Sequence, residues 1–289
     1  MRIDDVKKVC VIGGGLMGRQ IALNSAVFGY EVRLCDASDE VLGKVRVWLD
    51  EYLAGRIAKG KMTKEQTEEY KGRMRIAPSL EEAIKDVQLV IEAVVEIRDV
   101  KFDLFRKLNK LVPANTILTT NSSTMVSSMF KDLVDNPSRL ANLHYFNPAL
   151  VMKLIEIVQG DHTSDETAEL LMEFAKRTGK IPIRLTKECE GFVVNRALGA
   201  LKAECLKIVE EGICTPQEVD TGLELGLNHP MGVFRLNDLT GIDLYFHLLE
   251  QMYKDRGIKP AGYDLYKGMV ERGELGQKTG KGFYSYKKS

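Results

Sequence analysis

Val9-Cys10-Val11-Ile12 runs directly into Gly13-Gly14-Gly15-Leu16-Met17-Gly18, and after an apolar helical stretch comes Glu31-Val32-Arg33-Leu34-Cys35-Asp36. This reads as a strand, a G-x-G-x-x-G turn, a helix, a second strand and an acid at its end. A dinucleotide needs each part. Gly13 permits the tight turn, Gly15 lets the backbone approach a pyrophosphate, and Gly18 lets the helix pack on the sheet. The amides at the helix start, from Leu16 and Met17 onward, then face an anionic group. Asp36 is well placed to take ribose hydroxyls, and its charge repels a 2′-phosphate, so NAD is expected over NADP. The glycines alone would also fit an ordinary turn; the two strands, the helix and the acid in order favour the dinucleotide.

Outward from this unit, strands and helices continue to alternate. A helical stretch runs from about Glu40 to Arg56, Lys59-Gly60-Lys61 breaks it, and Thr63 is placed to cap the next helix. Further strands are expected at 89–94, 116–120, 140–144 and 154–158, with a helix at 100–111. Ile181-Pro182-Ile183-Arg184-Leu185 reads as an edge strand, because its proline cannot donate to a ladder. Such alternation implies an α/β domain, with a largely parallel sheet covered by helices on both faces. Beyond residue 187 the pattern becomes helical, with segments expected at 192–211, 216–225, 238–254 and 263–272. The chain therefore divides into an α/β domain over 1–186 and an all-α domain over 187–289.

Composition narrows the function classes. Hydrophobic residues make up 44% and charged residues 28% of 289, as in ordinary globular proteins. Forty-one basic residues balance 41 acidic ones, so no nucleic-acid or membrane partner is implied. No apolar run approaches the ~20 residues of a membrane span, and Met1–Lys8 lacks a signal-peptide core. The five cysteines form no C-x-x-C pair, which fits a reducing, cytoplasmic setting. With no H-x-x-x-H spacing, no metal is expected.

Ligands of open parallel sheets bind at the carboxyl ends of the strands. Glu96, Asn121-Ser122-Ser123 and His144 all fall at such ends, and Glu156 lies inside the apolar segment Leu154-Ile155-Glu156-Ile157-Val158. A carboxylate there is costly unless paired. His144, on an adjoining strand, is the partner expected, and the couple should fix the imidazole tautomer and raise its basicity. A dehydrogenase needs such a base for a hydroxyl proton. A structural histidine, a solvent-facing glutamate and a helix cap at 121–124 are the competing readings. His162, His229 and His247 are read as structural.

At these residues the sequence resembles the 3-hydroxyacyl-CoA dehydrogenase family. The resemblance is carried by Gly13–Gly18, Val90–Glu96, Asn121-Ser122-Ser123, HYFNPALVMKLIE at 144–156, GFVVNR at 191–196, HPMGVFRLNDL at 229–239 and KTGKGFY at 278–284. It implies a Rossmann-type domain followed by a helical domain that forms a homodimer, and an acyl-CoA substrate. By resemblance, the catalytic histidine and glutamate fall on His144 and Glu156, and the substrate-contacting serine and asparagine on Ser123 and Asn195. The NAD contacts fall on the glycine loop, Asp36, Glu96, Lys101, Ser123, Asn147 and Lys278, and the CoA contacts near Lys59 and Lys61. Leu150 and Val233 stand where the family usually has proline, and Asn121-Ser122 where it has Asn-Thr. The reaction so implied is reversible oxidation of a short-chain (S)-3-hydroxyacyl-CoA. A dehydrogenase of a free hydroxy or sugar acid, and a non-catalytic NAD-binding protein, are the alternatives.

Overall fold

The computed structural model describes residues 1–286. The chain forms two compact units, Met1–Val193 and the remainder from Val194. The expected boundary lay at residue 187; the intervening segment packs with the first unit, where Phe192 joins Val158 and Leu185 in a small apolar cluster.

The first unit is built on one eight-stranded sheet. Its strands are β1 (Lys8–Ile12), β2 (Glu31–Cys35), β3 (Met74–Ile76), β4 (Leu89–Glu92), β5 (Ile117–Thr120), β6 (Leu140–Tyr145), β7 (Leu154–Val158) and β8 (Ile181–Leu185), in the order β3-β2-β1-β4-β5-β6-β7-β8. The first six are parallel; β7 runs antiparallel to β6, and β8 is parallel to β7. The proline-bearing β8 is an edge, as its sequence dictates. The other edge, β3, has no signature in the sequence. It is three residues long and is a strand only through its pairing with Val32–Leu34.

Helices α1 (Leu16–Val27), α2 (Asp39–Ala58), α3 (Lys64–Arg73), α4 (Leu80–Ile84), α5 (Arg98–Leu111) and α6 (Asp165–Arg177) cover the sheet. Alternation along the strands sends side chains to two cores. Val9, Val11, Val32 and Leu34 pack with α1, α2 and α6, while Cys10, Ile12 and Cys35 pack with α4 and α5. Side-chain caps start two of these helices, the one at Thr63 as expected. Ser38 caps α2 by accepting from the Val41 amide, and Thr63 forms a reciprocal capping box with Gln66 at α3.

The second unit contains α7 (Val194–Glu210), α8 (Pro216–Thr221), α9 (Val233–Thr240), α10 (Ile242–Arg256) and α11 (Tyr263–Glu271). A single helix was expected over 238–254. Two form instead, because Gly241 adopts φ 113, a conformation that ends α9 and starts α10 on a new axis. Two buried carboxylates organise this unit. Asp220 accepts from the Phe234 and Arg235 amides and the Tyr284 hydroxyl, and Asp238 from the Phe283 and Tyr284 amides and the Tyr286 hydroxyl. Among the described residues no helix is long and apolar enough to cross a membrane.

Candidate active site

Strand order reverses between β1 and β4, and this is where an open α/β sheet accommodates a ligand. Gly13 there has φ 108, and a Cβ on it would strike the Ala93 carbonyl; a Cβ on Gly18 would strike the Gly13 carbonyl. Gly15 differs. No atom lies within 4 Å of where its Cβ would stand, and it precedes α1 without any side-chain cap on the helix amides. The loop thus leaves open space beside uncapped N–H donors, the arrangement that a pyrophosphate fits. Leu16 is half exposed at the head of the helix, with Met17 behind it. Asp36, at the end of β2, faces the loop: Oδ2 accepts from the Gly14 amide at 2.7 Å and Oδ1 from the Ser38 amide at 2.9 Å.

The next strand ends carry a buried ionic network. Glu92 accepts from Lys101 Nζ at 2.6 Å and the Val94 amide at 2.8 Å through Oε1, and from Thr120 Oγ1 at 2.6 Å through Oε2. Lys101 is only 1% exposed, and its ammonium also lies 3.1 Å from Glu96 Oε2. Glu96 accepts from the hydroxyls of Ser122 and Thr124. Burial pushes the Glu96 carboxyl up, but the two hydroxyls and the Lys101 ammonium outweigh it and hold the group below the usual carboxylate range. Ser123, next in the chain, makes no side-chain hydrogen bond among the described residues, so its hydroxyl is free. Asn121 Oδ1 accepts from the Tyr145 amide and ties the ends of β5 and β6 together. Asn147 is exposed and precedes a cis peptide bond to Pro148.

His144 and Glu156 are register partners across the antiparallel β6–β7 pair, so both side chains leave the same face of the sheet. Nδ1 of His144 lies 2.8 Å from Glu156 Oε2, and the Val193 amide donates to Oε1 at 3.0 Å. Glu156 is 0% exposed and His144 6%. With a carboxylate on Nδ1, the neutral ring carries its proton there and leaves Nε2 as the acceptor. The couple raises the ring's basicity as expected, but burial outweighs it. Burial pulls the imidazole below its ordinary value of 6.5, and the hydrogen bond and charge of Glu156, aided by the charge of Glu96, recover only part of that loss. His144 is therefore a neutral acceptor at neutral pH, already aligned with Glu156.

The family model for the 3-hydroxyacyl-CoA dehydrogenase NAD-binding domain matches residues 8–189, and that for the C-terminal domain matches 191–286. The chain belongs to the 3-hydroxyacyl-CoA dehydrogenase family. It is 35% identical to the 3-hydroxybutyryl-CoA dehydrogenase of Clostridioides difficile, over 97% of this chain and 100% of that one. It is 36% identical to the mitochondrial hydroxyacyl-coenzyme A dehydrogenase of Homo sapiens, over 98% and 92%. The crystal structure of (S)-3-hydroxybutyryl-CoA dehydrogenase from Ralstonia eutropha superposes with a TM-score of 0.89 at 34% identity, covering 98% of this chain and 100% of that one. This dehydrogenase is accordingly an NAD-dependent oxidoreductase with a Rossmann-type domain and a helical C-terminal domain.

Within the first unit, the fold gathers the glycine loop, Asp36, Glu96, Ser123, His144 and Asn147 at strand ends of one sheet, with Glu156 in register beside His144. Lys101 lies behind Glu96 and presents almost no surface of its own. Lys59 and Lys61 follow α2, exposed and without an ion pair among the described residues. In the second unit, Asn195 is exposed near the start of α7, and Lys278 is bound to both oxygens of Asp243 at 2.6 Å. Sequence reasoning missed Glu92. Yet Glu92 carries the same signal as Glu156, an acid inside the apolar run Leu89-Val90-Ile91-Glu92-Ala93-Val94, with a lysine within one helix of it. It also missed Phe192 and Val193, which act through ring contact and main-chain geometry.

Proposed function

We propose that this dehydrogenase reversibly oxidises (S)-3-hydroxyacyl-CoA, of short chain such as 3-hydroxybutyryl-CoA, to 3-ketoacyl-CoA. The observation that carries this reading is the buried, in-register His144–Glu156 pair, on the same sheet as a loop suited to a pyrophosphate. The names of the curated relatives support the substrate class. NAD, when bound, takes the hydride from the substrate carbinol carbon. Nε2 of His144 takes the hydroxyl proton, and in the reverse direction returns it. Glu156 fixes the Nδ1–H tautomer and stabilises the imidazolium that forms. Ser123, with its free hydroxyl, and Asn195 hold the reacting oxygen. The amides after Gly15 receive the pyrophosphate, Asp36 the ribose, and Glu96, Asn147 and Lys278 complete the cofactor contacts, with buried Lys101 acting through Glu96, while Lys59 and Lys61 meet the CoA phosphates.

The second unit is assigned to a homodimer interface, supported by its exposed Leu225, Leu244, Leu248 and Ile258. Free cysteines, Cys10 and Cys35 buried among them, support a cytoplasmic setting. The deciding experiment measures NADH consumption with acetoacetyl-CoA and with acetoacetate. Turnover of the thioester alone is expected, faster with four-carbon than with long acyl chains. Comparable kcat/KM for the free acid would make the protein a hydroxy-acid dehydrogenase instead. Tight NADH binding without turnover of either would make it a binding protein. His144→Ala should lower kcat by ~10²–10⁴ and leave NADH affinity unchanged.

A further inference from the structure

The segment Gly191-Phe192-Val193 lies outside every strand, yet it meets the His144–Glu156 pair at two points. The Phe192 ring lies 5.4 Å from the imidazole, centroid to centroid, inclined by 63°, and the Val193 amide donates to Glu156. Gly191 and Phe192 both have positive φ, 72° and 50°. Glycine adopts this region freely; a bulky residue does so only where surroundings enforce it. The surroundings here are the Cys189 carbonyl, which accepts from the Phe192 amide at 3.3 Å, and the apolar side chains of Val158 and Leu185. The two left-handed residues turn the chain back on itself. Phe192 is thereby driven inward, to 1% exposure, and the next amide points at the carboxylate.

We propose that Gly191-Phe192-Val193 is a positioning device for the base: the Phe192 ring keeps water off the imidazole, and the Val193 amide holds one oxygen of Glu156 so that the other meets Nδ1. The proposal rests on the reading that His144 is the base. The charged groups that reach His144 are Glu156 of β7 and Glu96 after β4, and both favour the protonated ring. Neither accounts for its lowered basicity. Burial does, and two rings supply cover at this ring: Phe192, and Phe146 at 4.7 Å. Phe146 is only partly buried, whereas Phe192 is 1% exposed, so the more closed side is that of Phe192.

Removing the ring should admit water and return the imidazole toward 6.5. The test is an NMR pH titration of the four histidines in full-length protein, with His144→Gln identifying the resonance. Phe192→Ala should raise the His144 midpoint by about half a pH unit or more, roughly threefold in proton affinity. Phe192→Leu keeps apolar bulk and should shift it less in the same direction; it reads the effect even if the alanine variant folds poorly. A His144 midpoint unmoved in both folded variants overturns the proposal. The acid limb of kcat/KM for hydroxyacyl-CoA oxidation should follow the imidazole in each variant. A limb that stays put while the imidazole moves would leave the role of Phe192 intact and remove His144 from the chemistry.

Discussion

Glu156→Gln changes one atom in a site where both carboxylate oxygens are engaged. Oε2 faces the Nδ1–H of His144 at 2.8 Å, and Oε1 accepts from the Val193 amide at 3.0 Å. Glutamine brings one acceptor and one donor to two donors. If its oxygen faces Val193, its NH₂ faces Nδ1, the ring must carry its proton on Nε2, and the base is lost. If its oxygen faces His144, a buried amide is left facing a donor, at a cost of ~1–3 kcal/mol. The second arrangement keeps the tautomer but loses the charge. A carboxylate and an imidazolium with charge centres about 4 Å apart interact by about 4 kcal/mol at an effective dielectric of 20. This attraction exists only once the proton has moved, so its loss falls on the barrier, at about 10³-fold in kcat. Loss of the tautomer would add to that, up to ~10⁴. The assay is NADH formation from (S)-3-hydroxybutyryl-CoA at saturating NAD, pH 5 to 9. NADH affinity, read by fluorescence, should not change. The acid limb should move to lower pH, because the carboxylate raises the His144 midpoint and its removal takes that support away. A variant within about threefold of wild type, or an acid limb displaced upward, would refute the reasoning.

Lys101→Met leaves Glu92 buried at 0% exposure without its cation, and should destabilise the first unit by ~3–5 kcal/mol in chemical denaturation. Asp36→Ser removes the acid that faces the Gly14 amide; the ratio of NADPH to NADH kcat/KM should rise by ~10-fold or more, a charge-assisted hydrogen bond being worth ~1.5–3 kcal/mol. Lys202, 8% exposed on α7 with no carboxylate partner among the described residues, has its ammonium pushed down by burial to about 8 and rests over the Tyr245 ring at 4.7 Å. Its folded form releases a proton before the unfolded chain does, so the cost of burying the charge is full below pH 8 and fades as pH rises from 8 toward 10.5. Lys202→Met should therefore raise the thermal midpoint of the second unit at pH 7, and the gain should shrink by pH 9.5 in calorimetric scans.

The fold was legible where one local rule governed. The glycine loop, the Thr63 cap and the proline of β8 each have a short-range cause, and each element formed where that cause placed it. β3 was invisible because three residues carry no period; only a neighbour makes Met74–Ile76 a strand. The break at Gly241 was lost for a related reason. Leu236, Leu239, Ile242 and Leu249 sustain an apolar pattern across it, and the positive φ that divides α9 from α10 is set by tertiary packing. In the site, an acid within an apolar strand pointed to Glu156, and the same rule applied to Glu92 would have found the Lys101 network. The proximity of His144 to its partner could be guessed from spacing. The direct register could not, because it depends on β7 being the strand that reverses direction.

On the proposed mechanism, that reversal gives the site its chemistry. Antiparallel partners on one face stand directly opposite, so a histidine and a glutamate at paired positions meet without a loop to carry either. Burial by the sheet makes charge expensive, and the cost falls unequally. Glu156 is met by donors on both oxygens, whereas burial outweighs the charges of Glu156 and Glu96 at His144 and lowers its basicity. On that mechanism the glutamate gains most when the neighbouring ring takes up a proton. Basicity is thus withheld in the resting protein and supplied as the proton arrives. A more basic histidine would spend part of its time already charged at neutral pH, and an exposed pair would have its attraction weakened by water. The strand pairing sets the carboxylate beside the ring, and burial around the pair lowers the ring's midpoint, so altering either should be felt in the other.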